Sequence, residues 1–460
     1  MNADPAGSQA QPFTVQDFID RCTELSAPKD LAVAVSGGSD SLALLLLACE
    51  RAKIQGGRVL ALTVDHGLRP EAADEAAFVA SLCKTLGVDH QTLVWRRSND
   101  GHCAHGEARN ARYALLLNAA ARAGIGSIVT AHTEDDQAET VLMRLFRGAG
   151  VSGVAAIAPK SEVACGAGPT LDLLRPLLSA SRASLTAVCK AFDQPYVSDP
   201  SNDDHAYERP RLRGLIAGLE AQDITSRAHL AKAAAEAREA AARLDHGIQS
   251  AFKARAGVFY RWGGASLNFD GGSSRRSLES DFSGAGFGVA DAPLLRAVIH
   301  AVSGADYAPA GNSVRETLQK INLKPAATIG GVLLQRSNGK LWIVREPAAL
   351  LGRSGVAPAP RAPVAPGGKI LWDGRFTVEN TSQSTIWIGP RGRQAGAEID
   401  TCFPTDQAFE SAPAAFDAAG NCLVVAGQTS PTGNANAKFK ALCRERFERR
   451  VVRFPSPDEI

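Results

Sequence analysis

The sequence predicts an α/β protein with a doubly wound parallel sheet, followed by a helical connector and a smaller C-terminal α+β region. Short apolar runs alternate with segments of helical periodicity from Leu31 to about Val197. This alternation is typical of a parallel sheet with helices on both faces. The next long segment, Ser226–Ala254, is rich in Ala, Glu, Arg and Lys and predicts a solvated connecting helix.

The elements of the first region follow one another in a regular order. Strands are predicted at Leu31–Val35, Val59–Val64, His90–Trp95 and Ser127–Ala131. Helices are predicted at Ser41–Lys53, Glu71–Leu86, His105–Ala123 and Asp135–Phe146. Ligands of such sheets bind beyond the carboxyl ends of the strands. The segments that follow the strands are therefore where functional residues are expected.

The later sequence predicts shorter elements. Val332–Gln335 and Lys340–Val344 predict a hairpin around an Asn-Gly turn, and Gly352–Gly368, with four Pro and four Gly, predicts a linker. Two further strands are predicted at Ile370–Val378 and Thr385–Ile388. We therefore expect three regions, a catalytic domain over 1–216, a helical connector and central subdomain over 217–351, and a C-terminal module over 369–460.

Composition limits the possible function classes only weakly. The 460 residues carry a formal net charge of +2, so the local distribution of charge must decide whether a nucleic acid binds. None of the nine cysteines forms a C-x-x-C pair, which argues against a zinc ribbon or a disulfide framework. The N-terminus has no apolar signal-peptide core and no apolar run is long enough to cross a bilayer, so a cytoplasmic location is expected.

The strongest motif is Ser36-Gly37-Gly38-Ser39-Asp40-Ser41, between a predicted strand and a predicted helix. Glycine lets the backbone approach a phosphate closely, and the amides at a helix N-terminus attract the anion. The motif is neither a Walker A loop nor G-x-G-x-x-G. The alternative is an ordinary helix N-cap, in which Ser and Asp are common.

This motif resembles the pyrophosphatase (PP) loop of ATP pyrophosphatases, in an adenine nucleotide alpha hydrolase-like fold. Further segments, in order and spacing, resemble the tRNA(Ile)-lysidine synthase family. The resemblance covers Leu31 to about Ile216 and is fainter in Gly331–Glu346 and Trp372–Phe376. Its segments are Asp65–Arg69, Glu107–Tyr113, Ala131–Thr140, Arg147–Gly150, Arg175–Leu178, Asp199–Asn202 and Tyr207–Arg213.

The resemblance implies a set of nucleotide-binding and catalytic residues. ATP would be bound by Ser36, Gly37, Gly38, Ser39, Asp40, Ser41, Asp65 and His132. Asp40 would also hold Mg²⁺, and the catalytic residues would be Asp40, Arg109, Arg112 and Asp136. Arginine suits phosphate because its planar fork donates two hydrogen bonds, and Arg147 is a further candidate. The alternatives are a solvated helix face for the arginines, a helix cap for Asp65 or His66, and a structural role for His132.

Two carboxylates and several basic residues complete the candidate site. Asp136 and Glu139, three apart on a predicted helix, match the pair that binds lysine in the family, although acidic residues also complement a helix dipole. Arg209, Arg211 and Arg213 would point the same way on an extended chain, toward an RNA backbone. The family has Asn where Pro210 stands. Lys438–Arg453, with seven basic and two acidic residues, would form a basic helix face, either for RNA or merely solvated.

The resemblance implies that the wobble cytidine of the CAU-anticodon isoleucine tRNA is adenylated by ATP and then attacked by free L-lysine, changing decoding from AUG to AUA. We expect the reaction to require ATP and Mg²⁺, with no permanently bound cofactor. No membrane partner is expected, and the chain could form a homodimer. The alternatives are a tRNA cytidine thiolase of the same superfamily, disfavoured because C-x-x-C is missing, a small-molecule ligase, and a non-catalytic RNA-binding relative, disfavoured because the loop is intact.

Overall fold

The computed structural model describes residues 11–65, 67, 71–95, 105–166, 168–197, 208–269, 286–305, 307–352, 360–392, 404–428, 437–448 and 452–454. The chain divides into two compact units. The first comprises Met1–Arg243 and Val451–Ile460, and the second comprises Leu244–Arg450. No helix in the described ranges is long and apolar enough to span a membrane.

The first unit contains a sheet with helices on both faces. Its strands are β1 (Leu31–Ala34), β2 (Val59–Asp65), β3 (Asp89–Val94), β4 (Ser127–Val129), β5 (Lys160–Cys165), β6 (Thr170–Leu174) and a last strand, Val452–Phe454. Its helices are α1 (Val15–Glu24), α2 (Ser39–Gln55), α3 (Glu71–Leu86), α4 (His105–Arg122), α5 (Glu134–Phe146), α6 (Val151–Val154), α7 (Arg182–Ala191), α8 (Glu208–Ala221) and most of α9 (Arg227–Ala254).

The strand order is Val452–Phe454, β5, β6, β4, β1, β2, β3. All neighbouring strands are parallel except β5 and β6. Side chains of β1 alternate between two cores: Leu31 and Val33 pack with α2 on one face, and Ala32 packs with α4 on the other. The doubly wound α/β fold is therefore confirmed. Because β1 lies between β2 and β4, the carboxyl ends of these three strands share one edge, where the connections change face.

The described residues of the second unit form three smaller sheets. Its helices are α10 (Ala292–Ser303), α11 (Gly311–Leu323), α12 (Pro347–Leu351), α13 (Asp406–Glu410) and α14 (Cys443–Glu448), with a 3-10 turn at Val289–Asp291. Its strands are β7 (Val258–Phe259), β8 (Ala265–Asn268), β9 (Ala326–Ile329), β10 (Val332–Ser337), β11 (Lys340–Arg345), β12 (Ala362–Val364), β13 (Lys369–Trp372), β14 (Phe376–Asn380), β15 (Ile386–Pro390), β16 (Pro413–Phe416), β17 (Cys422–Val425) and β18 (Ala437–Ala441).

These strands form three antiparallel groups, in the orders β7-β8-β11-β10-β9, β12-β15-β16-β17 and β13-β14-β18. The predicted hairpin is present, with Asn338 and Gly339 at φ values of 52° and 70° between β10 and β11. Positive φ at both turn positions is the geometry that Asn-Gly favours.

Three expectations about the later chain were wrong. Ile370–Val378 is not one strand, because Asp373 and Gly374 turn the chain at φ values of 48° and 60° and make β13 and β14 a hairpin. The predicted linker contains β12, which pairs with β15. Lys438–Arg453 is not one helix. Lys438 and Lys440 lie exposed on β18, while Phe439 between them packs on a core, which is the alternation of a strand.

Candidate active site

The glycine-rich motif connects β1 to α2 at the carboxyl edge of the sheet. Gly37 has φ of +88°, a conformation that side-chain-bearing residues rarely adopt. Ser41 Oγ donates to the carbonyl of Gly38 at 2.9 Å and accepts from the amide of Ser36 at 3.1 Å. The N-cap is Gly38, which makes no side-chain cap bond, so the ordinary-cap alternative does not describe the loop. The first amides of α2 are thus left to attract an anion.

Helix α5 begins directly opposite, after β4, with a capping box. Asp136 Oδ2 accepts from the amide and hydroxyl of Thr133 at 2.9 and 3.0 Å, and Thr133 Oγ1 accepts from the amide of Asp136. The capping box therefore uses one oxygen of Asp136. Its other oxygen, Oδ1, faces a cation on a neighbouring helix.

That cation is Arg182, the first residue of α7. Its guanidinium lies 2.7 Å from Asp136 Oδ1, 3.2 Å from Glu139 Oε1 and 3.5 Å from Asp40 Oδ2. One arginine thus joins the glycine-rich motif to the carboxylate pair on α5. Arg213 of α8 adds a second cation to Glu139, with Nε at 3.2 Å from the same Oε1.

Glu139 retains one free acceptor. Its side chain is only 1% exposed, and its Oε2 has no hydrogen-bond partner among the described residues. A buried carboxylate oxygen without a donor carries a large desolvation cost. The arrangement therefore offers a position for a further hydrogen-bond donor, such as an ammonium group.

Burial and neighbouring charges set the protonation of this cluster. Burial raises the pKa of Asp40 to about 6, with Arg182 opposing and Asp136 and Asp135 adding to the rise. Burial also raises the pKa of Asp136, but Arg182, His132 and the Thr133 amide outweigh it, so the net shift is downward. Burial, with Arg175, lowers the pKa of His132 to about 4, so this ring is neutral at pH 7.

His132 lies at the end of β4 with its ring held in place. Its Nδ1 is 2.9 Å from Thr130 Oγ1. The positive charges of Arg109 on α4 and Arg209 on α8 also lower the pKa of His132. Arg109 also lies over the ring of Tyr113 at 5.1 Å. Arg112 is exposed on the same helix.

The other predicted site residues lie in several environments. Asp65 ends β2, and its Oδ1 accepts from the amide of Gly67 at 2.9 Å, while His66 lies outside the described residues. Arg147 forms an exposed ion pair with Glu208 at 2.5 Å. The expectation that Arg209, Arg211 and Arg213 lie on an extended chain was wrong, since all three are on α8.

The physical reason is helical spacing. Pro210 lies within the first turn of α8, where proline is tolerated, so the Asn-to-Pro departure is compatible with a helix. On this helix residues four apart share a face, so Arg209 and Arg213 lie together, with Arg213 bound to Glu139. Arg211 projects from another side and is exposed.

Arg182 was missed by the sequence reasoning. One signal was available, because a cation in the first turn of a helix opposes the helix dipole and needs another partner. Ser181 marks the start of that helix as its N-cap. Its carboxylate partners are distant in sequence, so the signal identifies an unusual residue without naming what it binds.

No group of three His, Cys, Asp or Glu side chains suitable for a metal occurs within the described ranges. Asp40 alone is a poor metal site. A partly exposed carboxyl whose pKa is raised by burial and by nearby acidic groups nevertheless fits a Mg²⁺ ion held mainly by phosphate oxygens and water.

The fold and the glycine-rich loop define a protein of the PP-loop class, and residues 13–219 match the family model described as PP-loop domain. The tRNA(Ile)-lysidine synthase of Methylobacterium nodulans is 37% identical over 75% of this chain and 99% of its own length. That of Zymomonas mobilis is 45% identical over 48% of this chain and 69% of its own length. That of Bradyrhizobium sp. (strain BTAi1) is 49% identical, but the alignment spans 47% of this chain and 59% of the relative. The chain belongs to the tRNA(Ile)-lysidine synthase family.

Proposed function

We propose that this protein uses ATP to adenylate the wobble cytidine of the CAU-anticodon isoleucine tRNA and then joins free L-lysine to C2 of that base, releasing pyrophosphate and AMP. The observation that carries the proposal is the junction at Arg182. There a glycine-rich anion loop and a buried carboxylate pair lie within one ion-pair network, in a chain of this family.

The loop supplies the nucleotide site. Its small residues and the amides at the start of α2 bind phosphate, and Arg109 and Arg112 on α4 stabilise charge on the leaving pyrophosphate. Mg²⁺, when bound, would neutralise phosphate charge during attack on the α-phosphorus. Asp40 is the residue of this loop that would hold it, because a bound metal cation would favour the charged form of its carboxyl group.

The carboxylates of α5 supply the lysine site. A free amino acid carries an α-ammonium and an α-carboxylate beside its reactive ε-amine. Asp136 Oδ1 and the unpartnered Oε2 of Glu139 accept from the α-ammonium, and Arg182 binds the α-carboxylate. These contacts would hold the amino acid by its invariant end, which leaves the ε-amine to approach the activated base.

The RNA site includes two exposed arginines on different sides of α8. Arg209 and Arg211 are exposed there, beside the carboxylate site to which Arg213 is bound. Contacts from these arginines to phosphate groups would position the tRNA without reading its sequence.

The test is incubation of the purified chain with ATP, Mg²⁺, lysine and the CAU-anticodon isoleucine tRNA. We expect AMP and pyrophosphate to form in amounts that match lysine transferred to the tRNA, detected by mass spectrometry of the wobble nucleoside. Elongator methionine tRNA, which also carries CAU, is the matched RNA control for substrate choice. Transfer of another group to cytidine, or ATP turnover that needs neither lysine nor tRNA, would overturn the proposal.

A further inference from the structure

The C-terminal end of α5 carries an exposed aromatic side chain. Phe146, the last residue of the helix, is 68% exposed, and Leu145 and Val151 in the same short segment are exposed as well. Single exposed apolar residues are ordinary. Three within seven residues, around the end of α5, form a local concentration of exposed apolar side chains, here called the patch, which indicates an interaction surface.

The patch is aligned with the candidate active site. Glu139 and Phe146 are seven positions apart on α5, so they lie on the same side of the helix, about 10 Å apart along its axis. Phe146 therefore lies outside the carboxylate site, on the side of α5 that holds the lysine-binding candidates.

Arginines lie near the end of α5 that carries this aromatic ring. Helix α8 runs antiparallel to α5, since Arg213 pairs with Glu139 and Glu208 pairs with Arg147. The N-terminal part of α8, with exposed Arg209 and Arg211, therefore lies beside the end of α5. Arg147 directly follows Phe146 and is exposed, although Glu208 offsets part of its charge.

We propose that Phe146 is a stacking platform for an unpaired base of the RNA substrate, next to the nucleotide in the active site, while Arg209 contacts a neighbouring phosphate. The proposal rests on the proposed function and deepens it by naming how the RNA loop is held. Single-stranded RNA is typically recognised by bases stacked on aromatic side chains with arginines along the backbone. The exposed arginines near the ring also match the negative charge of an RNA backbone, so this setting favours RNA.

The experiment measures binding of a CAU-anticodon stem-loop RNA to the full chain. We expect Phe146→Ala to weaken binding roughly 5- to 150-fold, the range for losing one base–aromatic stack. Phe146→Tyr should restore binding, and the KM for ATP should not change in either variant. The matched control is Ile54→Ala, because Ile54 is also exposed, at 64%, but lies near the far end of α2 from the loop.

A second arm alters the RNA. Stem-loops with a single abasic nucleotide at successive loop positions are compared on wild-type protein and on Phe146→Ala. One abasic position flanking the wobble cytidine should weaken binding to the wild type and have no further effect on the variant. If every abasic position weakens binding equally to both proteins, Phe146 does not stack on a base and the inference is wrong.

The experiments distinguish failure of the proposed function from failure of the stacking platform. If the wild type neither binds the stem-loop nor transfers lysine, the proposed function is wrong and the stacking platform with it. If the wild type does both and Phe146→Ala binds RNA normally, only the stacking platform is wrong. Loss of self-association in Phe146→Ala, with RNA binding intact, would identify the patch as a contact between two copies of the chain.

Discussion

The two units each bury a cluster of arginines and carboxylates, but the clusters are built differently. In the second unit Asp373 binds both Arg345 and Arg375, and the remaining guanidinium nitrogens donate to carbonyl oxygens of Gly331, Gly263 and Ser411. In the first unit one arginine, Arg182, faces three carboxylates. The cluster of the second unit thus uses all its guanidinium donors within the protein. The cluster of the first unit retains a carboxylate oxygen that can accept a hydrogen bond from a ligand.

The two clusters also differ in whether their polar groups are held in an unfavourable state. Asp373 also connects β13 and β14 to β11 through Arg345, so its cluster joins elements of the second unit to one another. In the first unit Glu139 Oε2 lacks a donor in the described structure, and the pKa of Asp40 is raised. Groups held in an unfavourable state are typical of functional sites, whereas satisfied buried networks stabilise one conformation.

The largest expected effect comes from breaking the satisfied cluster. Asp373→Asn leaves the fully buried Arg375 without its counter-charge, and it should lower the free energy of unfolding by about 3–5 kcal/mol. Urea denaturation at pH 7 measures this loss. Lys369→Gln, which removes an exposed ion pair with Glu379, is the control and should change stability little. A stable Asp373→Asn protein would show that this cluster is not structural.

Removing Arg182 should destabilise the first unit in a pH-dependent way. Arg182 lowers the pKa of Asp136, so its stabilising effect is present above the ordinary pKa of 3.8 and is lost as pH falls below it. Arg182→Ala should therefore be about 2–4 kcal/mol less stable than wild type near pH 7, with a smaller difference near pH 3.5. Denaturation curves at both pH values decide this, and a difference independent of pH would contradict it.

Altering the lysine-binding candidates should weaken the binding of lysine far more than that of ATP. Losing a charge-assisted hydrogen bond should weaken lysine binding by ~1.5–3 kcal/mol. Asp136→Asn and Glu139→Gln should therefore raise the KM for lysine roughly 10- to 150-fold, with little change for ATP. Steady-state kinetics with each substrate varied in turn measure this. An unchanged KM for lysine in both variants would mean that the amine binds elsewhere.

Asp40 should lower stability while being required for activity. Its folded pKa is raised to about 6 from 3.8, so the charged form is disfavoured in the fold. Stability from this group is highest below pH 3.8, falls as pH rises toward 6, and then stays constant. Without nucleotide, Asp40→Asn should be more stable than wild type by about 1–3 kcal/mol at pH 7.5, but not at pH 3.5. The same variant should form almost no AMP.

The smallest effect concerns the exposed arginines. Arg211→Gln should reduce the slope of log binding constant against log salt for tRNA by about 0.7–0.9, if this side chain neutralises one phosphate. Filter binding at several salt concentrations measures the slope. Lys438→Gln and Lys440→Gln test the second unit in the same way without disturbing Val452–Phe454, which pairs with β5. Unchanged slopes in all three variants would leave these cations as solvated surface only.

The first region could be predicted well because its signals are local. The predicted limits of each strand and helix between Leu31 and Phe146 agree with the observed limits to within two residues. The alternation of apolar and amphipathic segments is strong in a parallel sheet that is buried on both faces. Two predictions were wrong, an extended chain at Arg209–Arg213 and a single helix at Lys438–Arg453. A basic residue at every second position fits one side of a strand, but some of the same residues also share a helix face, so the pattern did not decide between the two structures.

The sequence by itself determined the order of the elements, the phosphate-loop motif and the identity of the carboxylate pair, because each depends on residues close together in the chain. Only the tertiary structure decided that Asp40, Asp136 and Glu139 share Arg182. That contact requires β1 and β4 to be neighbours and α7 to pack against α2. Electrostatic interactions fall off with distance in space and not along the chain, so the site's ion pairs and shifted pKa values exist only once the sheet has formed.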